Sequence, residues 1–488
     1  MNIKKNILIS FMGDFLSKIP LYLSELIIIQ GLSTVNYGLW SSYQIFFRFF
    51  PYFHFGALSA YNKLGPLHYG ANRNEEITKL NNTVFSLIQF ISLVLLVTAG
   101  LVYVFIGRYI SPTQYLLFAL CGLCVQYYVF YQAKLKNEAS YVKLSLGLMI
   151  NSLTYMILLY FLVPYLQLSG VFVSLVLAYF ISIIYYCLKQ SLSFDFDVTY
   201  FKQLLSQGFA PFVFTITHFI YQMTDRLVLL LFGNLILMAH YGFIYTICQL
   251  VILMTNAIDK VFSTFLLRKI GAGRHEDAGK LSMISCWIVA MATSLCIAGF
   301  FLLGDKFVMH LFSDYSDTIQ PIKYTLIGVF FFASIQPFFS YIIGINSEKV
   351  LIALHITMSL LSSCIYYIVF LVQQTLISVS VAYMVIQMIY FCSLIFIFLR
   401  KIQGKTIIET LMDLLRILVV LLSPLLVMIS LSGLAVKYIE FTQWIFLNAT
   451  IQTMAVVILS LPMYWFSYTL LIKLNNRLVY KQLSEATV

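Results

Sequence analysis

Charged side chains are scarce in this chain. They make up 10% of the 488 residues, whereas hydrophobic residues make up 61% and the mean hydropathy is +0.91. A soluble domain carries about 25% charged residues. No stretch is large and polar enough to form a separate soluble domain, and the P-loop, HExxH and GxSxG motifs do not occur. These absences argue against an ATPase or a hydrolase and indicate an integral membrane protein.

Cysteines in a functional arrangement are also lacking. All eight lie in apolar segments, and the one CxxC pair, Cys121 and Cys124, falls inside a predicted spanning helix. We interpret this pair as packing rather than a redox or metal site. No metal site or cofactor is predicted. The first apolar run shows no signal-peptide cleavage site and is predicted to continue as a spanning segment.

Apolar runs near 20 residues recur along the whole chain, and each is long enough to cross a bilayer as a helix. The prediction is an all-α integral membrane fold with about 14 transmembrane helices. Their predicted ranges are 7–29, 37–61, 81–106, 112–132, 144–165, 168–187, 207–231, 236–259, 281–303, 320–344, 351–373, 376–399, 417–436 and 445–472.

The distribution of lysine and arginine predicts the orientation. One side of the predicted membrane receives 23 of the 30 basic residues, the other side receives 4, and 3 fall inside spans. Cytoplasmic loops carry the basic excess. The chain is therefore expected in a bacterial inner membrane with both termini cytoplasmic. The net charge of +11 follows from topology, and nucleic acid is not an expected partner.

A charged loop sequence occurs twice in the chain. The stretch GANRNEEITKL at 70–80 returns as GAGRHEDAGKL at 271–281, and NYGLW at 36–40 is echoed by HYGFI at 240–244. Six predicted helices separate the copies, which is the pattern of a parallel repeat. We predict an N-lobe of six helices over 1–190 and a C-lobe of six over 200–400. Two extra helices over 410–473 and a cytoplasmic tail over 474–488 follow.

Ionisable residues inside spans are costly and tend to mark functional sites. They concentrate on three predicted helices. The first holds Asp14, Lys18 and Glu25, which share one stripe at about 100° per residue. The second holds Gln44, Arg48 and Tyr52 at i, i+4 and i+8, a spacing that also shares one stripe.

The seventh predicted helix carries the remaining in-span charges. His218, Gln222 and Asp225 follow at i, i+4 and i+7 on one face. Arg226 points about 80–100° away from Asp225, so this adjacent pair is not expected to face one another. His355 on the eleventh predicted helix is a weaker candidate, because a lone histidine in a packed helix is usually satisfied locally.

Roles follow from charge and depth. Lys18, Arg48 and Arg226 are the candidate cavity cations, and Gln44 and Gln222 are candidate polar lining. Asp14, Glu25, Asp225 and His218 are the candidate coupling or gate residues, with H⁺ or Na⁺ as the coupling ion. We expect Glu25 and Arg226 to approach each other when the cavity is closed on the outer side. The alternative is a set of structural ion pairs, such as Asp14–Lys18, that hold helices together.

The two six-helix lobes, the paired loops and the charged first, second and seventh helices resemble the MOP flippase superfamily. The opening 1–40 and the segment ending at GANRNEEITKL resemble the Wzx-type polysaccharide flippases. The resemblance implies two lobes around a central cavity. It also implies transport of undecaprenyl-pyrophosphate-linked oligosaccharide from the cytoplasmic to the periplasmic leaflet. The implied partners are this lipid, the bilayer and other polysaccharide-assembly proteins.

Other functions stay open from the sequence. A lipid II flippase or a cation-coupled multidrug exporter belongs to the same superfamily, and the three in-span cations are matched by three acids. A membrane-embedded polymerase or ligase is disfavoured, because long outer loops rich in arginine or histidine are absent. The sugar, the coupling ion, the oligomeric state and the role of the last two helices do not follow from the residues.

Overall fold

A computed structural model describes residues 3–70, 73–106, 111–188, 192–345, 347–402, 406–438 and 445–485, and it shows an all-α protein over those ranges. Side chains within 3–12, and that of Asp14, lie outside the described residues. Eleven helices of the described part are long and apolar enough to span a membrane. The all-α membrane fold predicted from composition is confirmed.

The first seven helices are α1 Ile3–Gly31, α2 Thr34–Phe47, α3 Ala57–Gly70, α4 Asn74–Ile106, α5 Pro112–Asn137, α6 Tyr141–Cys187 and α7 Val198–Phe232. The other eight are α8 Leu235–Gly271, α9 His275–Leu311, α10 Ile319–Ser334, α11 Gln336–Gly344, α12 Glu348–Val372, α13 Leu376–Ile397, α14 Ile407–Tyr438 and α15 Ile445–Glu485.

Each of the fourteen predicted helices has a counterpart. The fifth and sixth lie together in α6, which turns at Gln167, where φ is 51°. The two halves of α6 form a hairpin. Its two ends meet where the Lys143 ammonium donates to the carbonyls of Tyr186 and Leu188 at 2.8 and 2.7 Å. The tenth is divided at Ile335 into α10 and α11.

The prediction of one continuous second helix over 37–61 is wrong. The chain leaves α2 after Phe47, makes a 3-10 turn at Phe50–Tyr52 and resumes as α3 at Ala57. Pro51 inside that turn has no N–H to donate to a helix. Gly56 then has φ +89°, a conformation that glycine adopts without steric cost. The break leaves a helix end within the predicted span.

Both copies of the repeated loop contain the same backbone hydrogen bond. The N–H of Arg73 bonds the His68 carbonyl at 3.1 Å, and 201 residues later the N–H of Arg274 bonds the Lys269 carbonyl at 2.9 Å. This bond closes a Schellman cap at a helix C-terminus. In the second copy Gly273, with φ 75°, supplies the left-handed residue that the cap needs. The acids that follow lie in the first turns of α4 and α9, where they favour the helix dipole. The loop is repeated because it ends one helix and starts the next.

The chain divides into two compact units. Unit 1 comprises residues 1–230 and 234–239, and unit 2 comprises 231–233 and 240–488. In unit 1 the core lies among α3, α4 and α5, where Tyr61, Val84 and Phe130 are at most 1% exposed. Leu204 of α7 is fully buried in the same core. Most of α7 therefore packs with unit 1, although the sequence assigns residues 200–230 to the C-lobe; the two-lobe division stays a prediction.

Unit 2 includes the last two helices. The Trp287 indole of α9 donates to the Ser467 hydroxyl of α15 at 3.1 Å, and the Ser432 hydroxyl of α14 donates to the Ala298 carbonyl of α9 at 3.3 Å. Polar bonds of this kind hold helices together where lipid offers no partner. His355 is fully buried, and its Nε2 lies 2.8 Å from the Tyr390 hydroxyl, so a local partner is found for one ring nitrogen.

Candidate functional site

Glu25 of α1 lies beside α2. The Gln44 side-chain amide donates to Glu25 Oε1 at 2.8 Å. The Trp40 indole and the Arg48 guanidinium are close enough to act on the same carboxylate. Glu25 Oε2 is buried and has no hydrogen-bond partner among the described residues. This carboxylate thus links α1 to α2 through its hydrogen bond with Gln44.

Arg48 lies where α2 ends. Its backbone N–H caps the helix through bonds to the carbonyls of Gln44 and Phe46. A helix C-terminus carries partial negative charge, which favours a cation there. The guanidinium is partly exposed. The predicted stripe of Gln44, Arg48 and Tyr52 is wrong beyond Arg48, because Tyr52 lies in the 3-10 turn after the helix.

Lys18 lies on α1 two turns before Glu25, and its side chain is partly exposed. The helix continues through Pro20, and the Ser24 hydroxyl donates to the Pro20 carbonyl at 2.8 Å. The predicted contact of Lys18 with Asp14 falls on a side chain outside the described residues.

The polar face predicted on α7 is present. His218 Nε2 and Gln222 Nε2 are 2.9 Å apart, as the i, i+4 spacing requires. Asp225 and Arg226 are 5% and 2% exposed, and their Oδ1 and Nε atoms lie 3.8 Å apart. The expectation that this pair does not face one another is wrong. The aspartate accepts the backbone N–H of Arg226 at 2.8 Å, and this bond holds the carboxylate within reach of the long guanidinium.

Aromatic rings next to Arg48 and His218 pack against each other. Phe49, next to Arg48, packs against Phe219, next to His218, with ring centroids 4.4 Å apart. Gly56 and Gly208 then bring the two backbones together, since a Cβ built on Gly56 would lie 2.3 Å from the Gly208 carbonyl oxygen. The in-span charges of α1, α2 and α7 therefore belong to one compact unit.

Two side chains near Glu25 are missing from the sequence-based candidates. Trp40 and Tyr155 are each 3% exposed, and Trp40 Nε1 and Tyr155 Oη have no hydrogen-bond partner among the described residues. Tyr155 interacts electrostatically with Glu25. Tyr155 belongs to the first half of α6. That half runs parallel to α1, since Gly13 lies against Ser145 and Gly31 lies against Val163. No local pattern signals a neighbour so distant in sequence.

Similar architectures are known among solved structures. The lipid II flippase MurJ, in an inward closed conformation, superimposes with a TM-score of 0.69 at 18% identity, covering 96% of this chain and all of that one. An inward-facing multidrug resistance MATE family transporter gives 0.65 at 13% identity, covering 77% and 93%. This chain therefore shares the fold of these two transporters.

A third MOP-fold structure is a transporter from Pyrococcus furiosus Vc1, described by the reverse polarity of its binding pocket. It gives a TM-score of 0.53 at 14% identity and covers 80% of this chain and 95% of that one. No family model matches the sequence, and a search of curated proteins also gave no match.

Proposed function

We propose that the chain is a flippase for undecaprenyl-pyrophosphate-linked oligosaccharide, working by alternating access in a bacterial inner membrane. The observation that carries the proposal is the partial exposure of two cations, Lys18 on α1 and Arg48 at the end of α2, which the sequence predicts to lie inside spans, in a chain that shares the MurJ fold. Charges at such depth are retained where they face a polar cavity or a partner.

The chemistry of the substrate fits these cations. A pyrophosphate carries about two negative charges and, away from water, needs charge-assisted hydrogen bonds. Arg48 offers a planar fork of donors and Lys18 a compact ammonium. Arg226, the third predicted cation, is 2% exposed beside Asp225. Lys18 and Arg48 are therefore the first contacts, and Arg226 requires a rearrangement before it reaches substrate.

A lipid II flippase is the second candidate. The superposition with MurJ covers 96% of the chain, whereas the MATE transporter covers 77%. The larger share favours a lipid-linked substrate over a small drug. In the Pyrococcus furiosus transporter, reverse polarity of the binding pocket suggests a different function, which supports using the sign of the cavity charge to separate exporters from flippases.

The test of the cations is charge reversal. Arg48→Glu should abolish surface polysaccharide in the source bacterium while the protein remains in the membrane, and Arg48→Lys should retain part of the activity. Lys63→Glu, an exposed cation of α3, is the matched control. Normal polysaccharide with Arg48→Glu would rule out the role, and loss of the protein itself would assign Arg48 to structure. Rescue of cells depleted of MurJ would favour lipid II.

Ion coupling is assigned to the acids and the histidine. Glu25, Asp225 and His218, together with Asp14, are the proposed H⁺ or Na⁺ responders. In this structure Gln44 bonds Glu25, and the approach of Glu25 to Arg226 stays a prediction. Flipping in vesicles with an imposed ion gradient should lose its gradient dependence in Glu25→Gln or Asp225→Asn. Full gradient-dependent flipping in both variants would make these acids structural.

The proposed orientation places both charged loops in the cytoplasm. Single cysteines at 72 and 273 should both react with a membrane-impermeant reagent from the cytoplasmic side only. Labelling of the two positions from opposite sides would contradict the parallel repeat.

A further inference from the structure

Unit 2 contains a cavity of about 370 Å³ where several helix ends converge. Its wall is formed by His275 at the start of α9, Tyr341, Ile342 and Ile345 around the end of α11, Ser347 and Val350 at the start of α12, and Ile397 at the end of α13. The basic turn after α8 therefore lies beside the turn between α11 and α12. This is the end of unit 2 that the lysine and arginine distribution places in the cytoplasm.

A second cavity adjoins the first at one residue of α13. The second cavity, of about 460 Å³, is lined by Cys392, Ser393, Phe396, Ile397 and Leu414, and so shares Ile397 with the first. The lining of the two runs along the last turns of α13 and reaches α14. We call the two cavities together the crevice; its walls along α13 and α14 are largely apolar.

The open end of the crevice is polar and basic. The Tyr341 hydroxyl bonds the His275 carbonyl at 3.4 Å. Ser347 precedes α12, and its side chain makes no capping bond. The Val350 N–H bonds the Ser347 carbonyl at 3.1 Å, so the N–H groups of Glu348 and Lys349 are those that the start of the helix offers to an acceptor. Arg274, Lys349 and Arg400 are all exposed, and each lies one to three residues from a residue of the wall.

The local charge balance is positive. Among the described residues, Arg274, Lys349 and Arg400 take part in no ion pair within 4 Å. The acids nearest in sequence are Glu276, Asp277 and Glu348, and Glu276 is held by Lys280 at 3.1 Å. The three cations thus outnumber Asp277 and Glu348, the two nearby acids that form no ion pair with a basic side chain in the described part of the chain.

We propose that this crevice binds one anionic phospholipid of the bilayer, with the phosphate at Ser347 and the three cations and an acyl chain along α13. The charge of the mouth selects an anionic over a zwitterionic headgroup, because each nearby lysine or arginine strengthens anionic-lipid binding about fivefold. The apolar wall residues Ile342, Val350 and Ile397 select a lipid over a free phosphate, since only a lipid covers them with hydrocarbon. The site is independent of the transported substrate.

The experiment is native mass spectrometry of the full chain purified in mild detergent and titrated with phosphatidylglycerol or phosphatidylcholine. Wild type should bind one phosphatidylglycerol more tightly than the other lipids. The triple variant Arg274→Gln, Lys349→Gln and Arg400→Gln should weaken that first site about a hundredfold, by the same charge argument. The matched control, Lys63→Gln, Lys136→Gln and Lys202→Gln, removes three exposed cations of unit 1 and should leave it unchanged.

Two further arms keep the outcome clear. Val350→Trp, which fills the cavity while keeping the charges, should also release the lipid, and glycerol phosphate should fail to compete. Equal binding of phosphatidylcholine, equal weakening by the two triple variants or full binding by Val350→Trp would each overturn the proposal. Competition by glycerol phosphate would show a free-phosphate site instead.

Discussion

Removing the Gln44 amide should destabilise the junction of α1 and α2 by a measurable amount. Gln44 donates to Glu25 Oε1 at 2.8 Å, and the other oxygen is buried without a partner. A hydrogen bond to a charged group contributes about 1.5–3 kcal/mol, and one between neutral groups about 1 kcal/mol. We therefore expect Gln44→Ala to cost about 1–3 kcal/mol when Glu25 is present, and much less in the Glu25→Ala background.

The coupling is read from a double-mutant cycle. Unfolding of wild type, Gln44→Ala, Glu25→Ala and the double variant is followed in one detergent mixture by denaturant titration. Gln320→Ala, on an exposed position of α10, serves as the control and should stay within about 0.5 kcal/mol of wild type. A coupling energy below about 0.5 kcal/mol would refute the view that this bond ties Glu25 to α2.

Three shorter predictions concern unit 1. Gly56→Ala should lower the free energy of unfolding by about 1–3 kcal/mol, because φ is +89° and the new Cβ meets the Gly208 carbonyl at 2.3 Å. Gly100 has open space around it, so Gly100→Ala should not lower it. Equal thermal midpoints for the two variants would contradict the close approach of Gly56 to Gly208. Arg226→Gln should cost about 3–5 kcal/mol because it leaves Asp225 buried without its cation, and adding Asp225→Asn should recover part of that loss in the same unfolding assay. Backbone N–H groups of Tyr200 and then Thr199 donate to Asp197 at the start of α7 and hold the pKa of its carboxyl below the usual range. This helix cap is complete above the unfolded pKa of about 3.9. It is lost as pH falls through the lower pKa of the folded state. Hydrogen exchange at 199–200 should accelerate over that window in wild type, and a similar acceleration in Asp197→Ala would discount the cap.

The repeated loop shows how much a sequence comparison can predict. Its Gly, its basic residue and its paired acids encode a helix end and a helix start, which are local features. Both copies accordingly have the predicted type of structure and the same hydrogen bond at an offset of 201 residues. The i, i+4 contact of His218 and Gln222 was predictable for the same reason, since helical spacing alone brings the two side chains together.

The break in the second helix shows where pattern reasoning fails. Pro51 and Gly56 are present in the sequence, but the surrounding aromatic residues extend the apolar run, and hydropathy alone predicts a continuous span. The break is stabilised by tertiary packing: the Gln126 side chain donates to the Phe50 carbonyl, and Gly56 lies against Gly208. The sequence did not predict Trp40 and Tyr155 for a similar reason, because their proximity to Glu25 depends on how α1 packs with α2 and α6.

The most direct measurement is flipping of a fluorescent undecaprenyl-pyrophosphate-linked oligosaccharide by the purified full chain in proteoliposomes. Wild type should transport this lipid. The rate should be at least about 100-fold lower for Lys18→Gln with Arg48→Gln, because each substitution removes a charge-assisted hydrogen bond to pyrophosphate that contributes about 1.5–3 kcal/mol. Lys63→Gln with Lys202→Gln, which removes two exposed cations elsewhere, should transport as wild type does. Equal rates for both double variants, or no flipping by correctly folded wild type, would contradict the central claim.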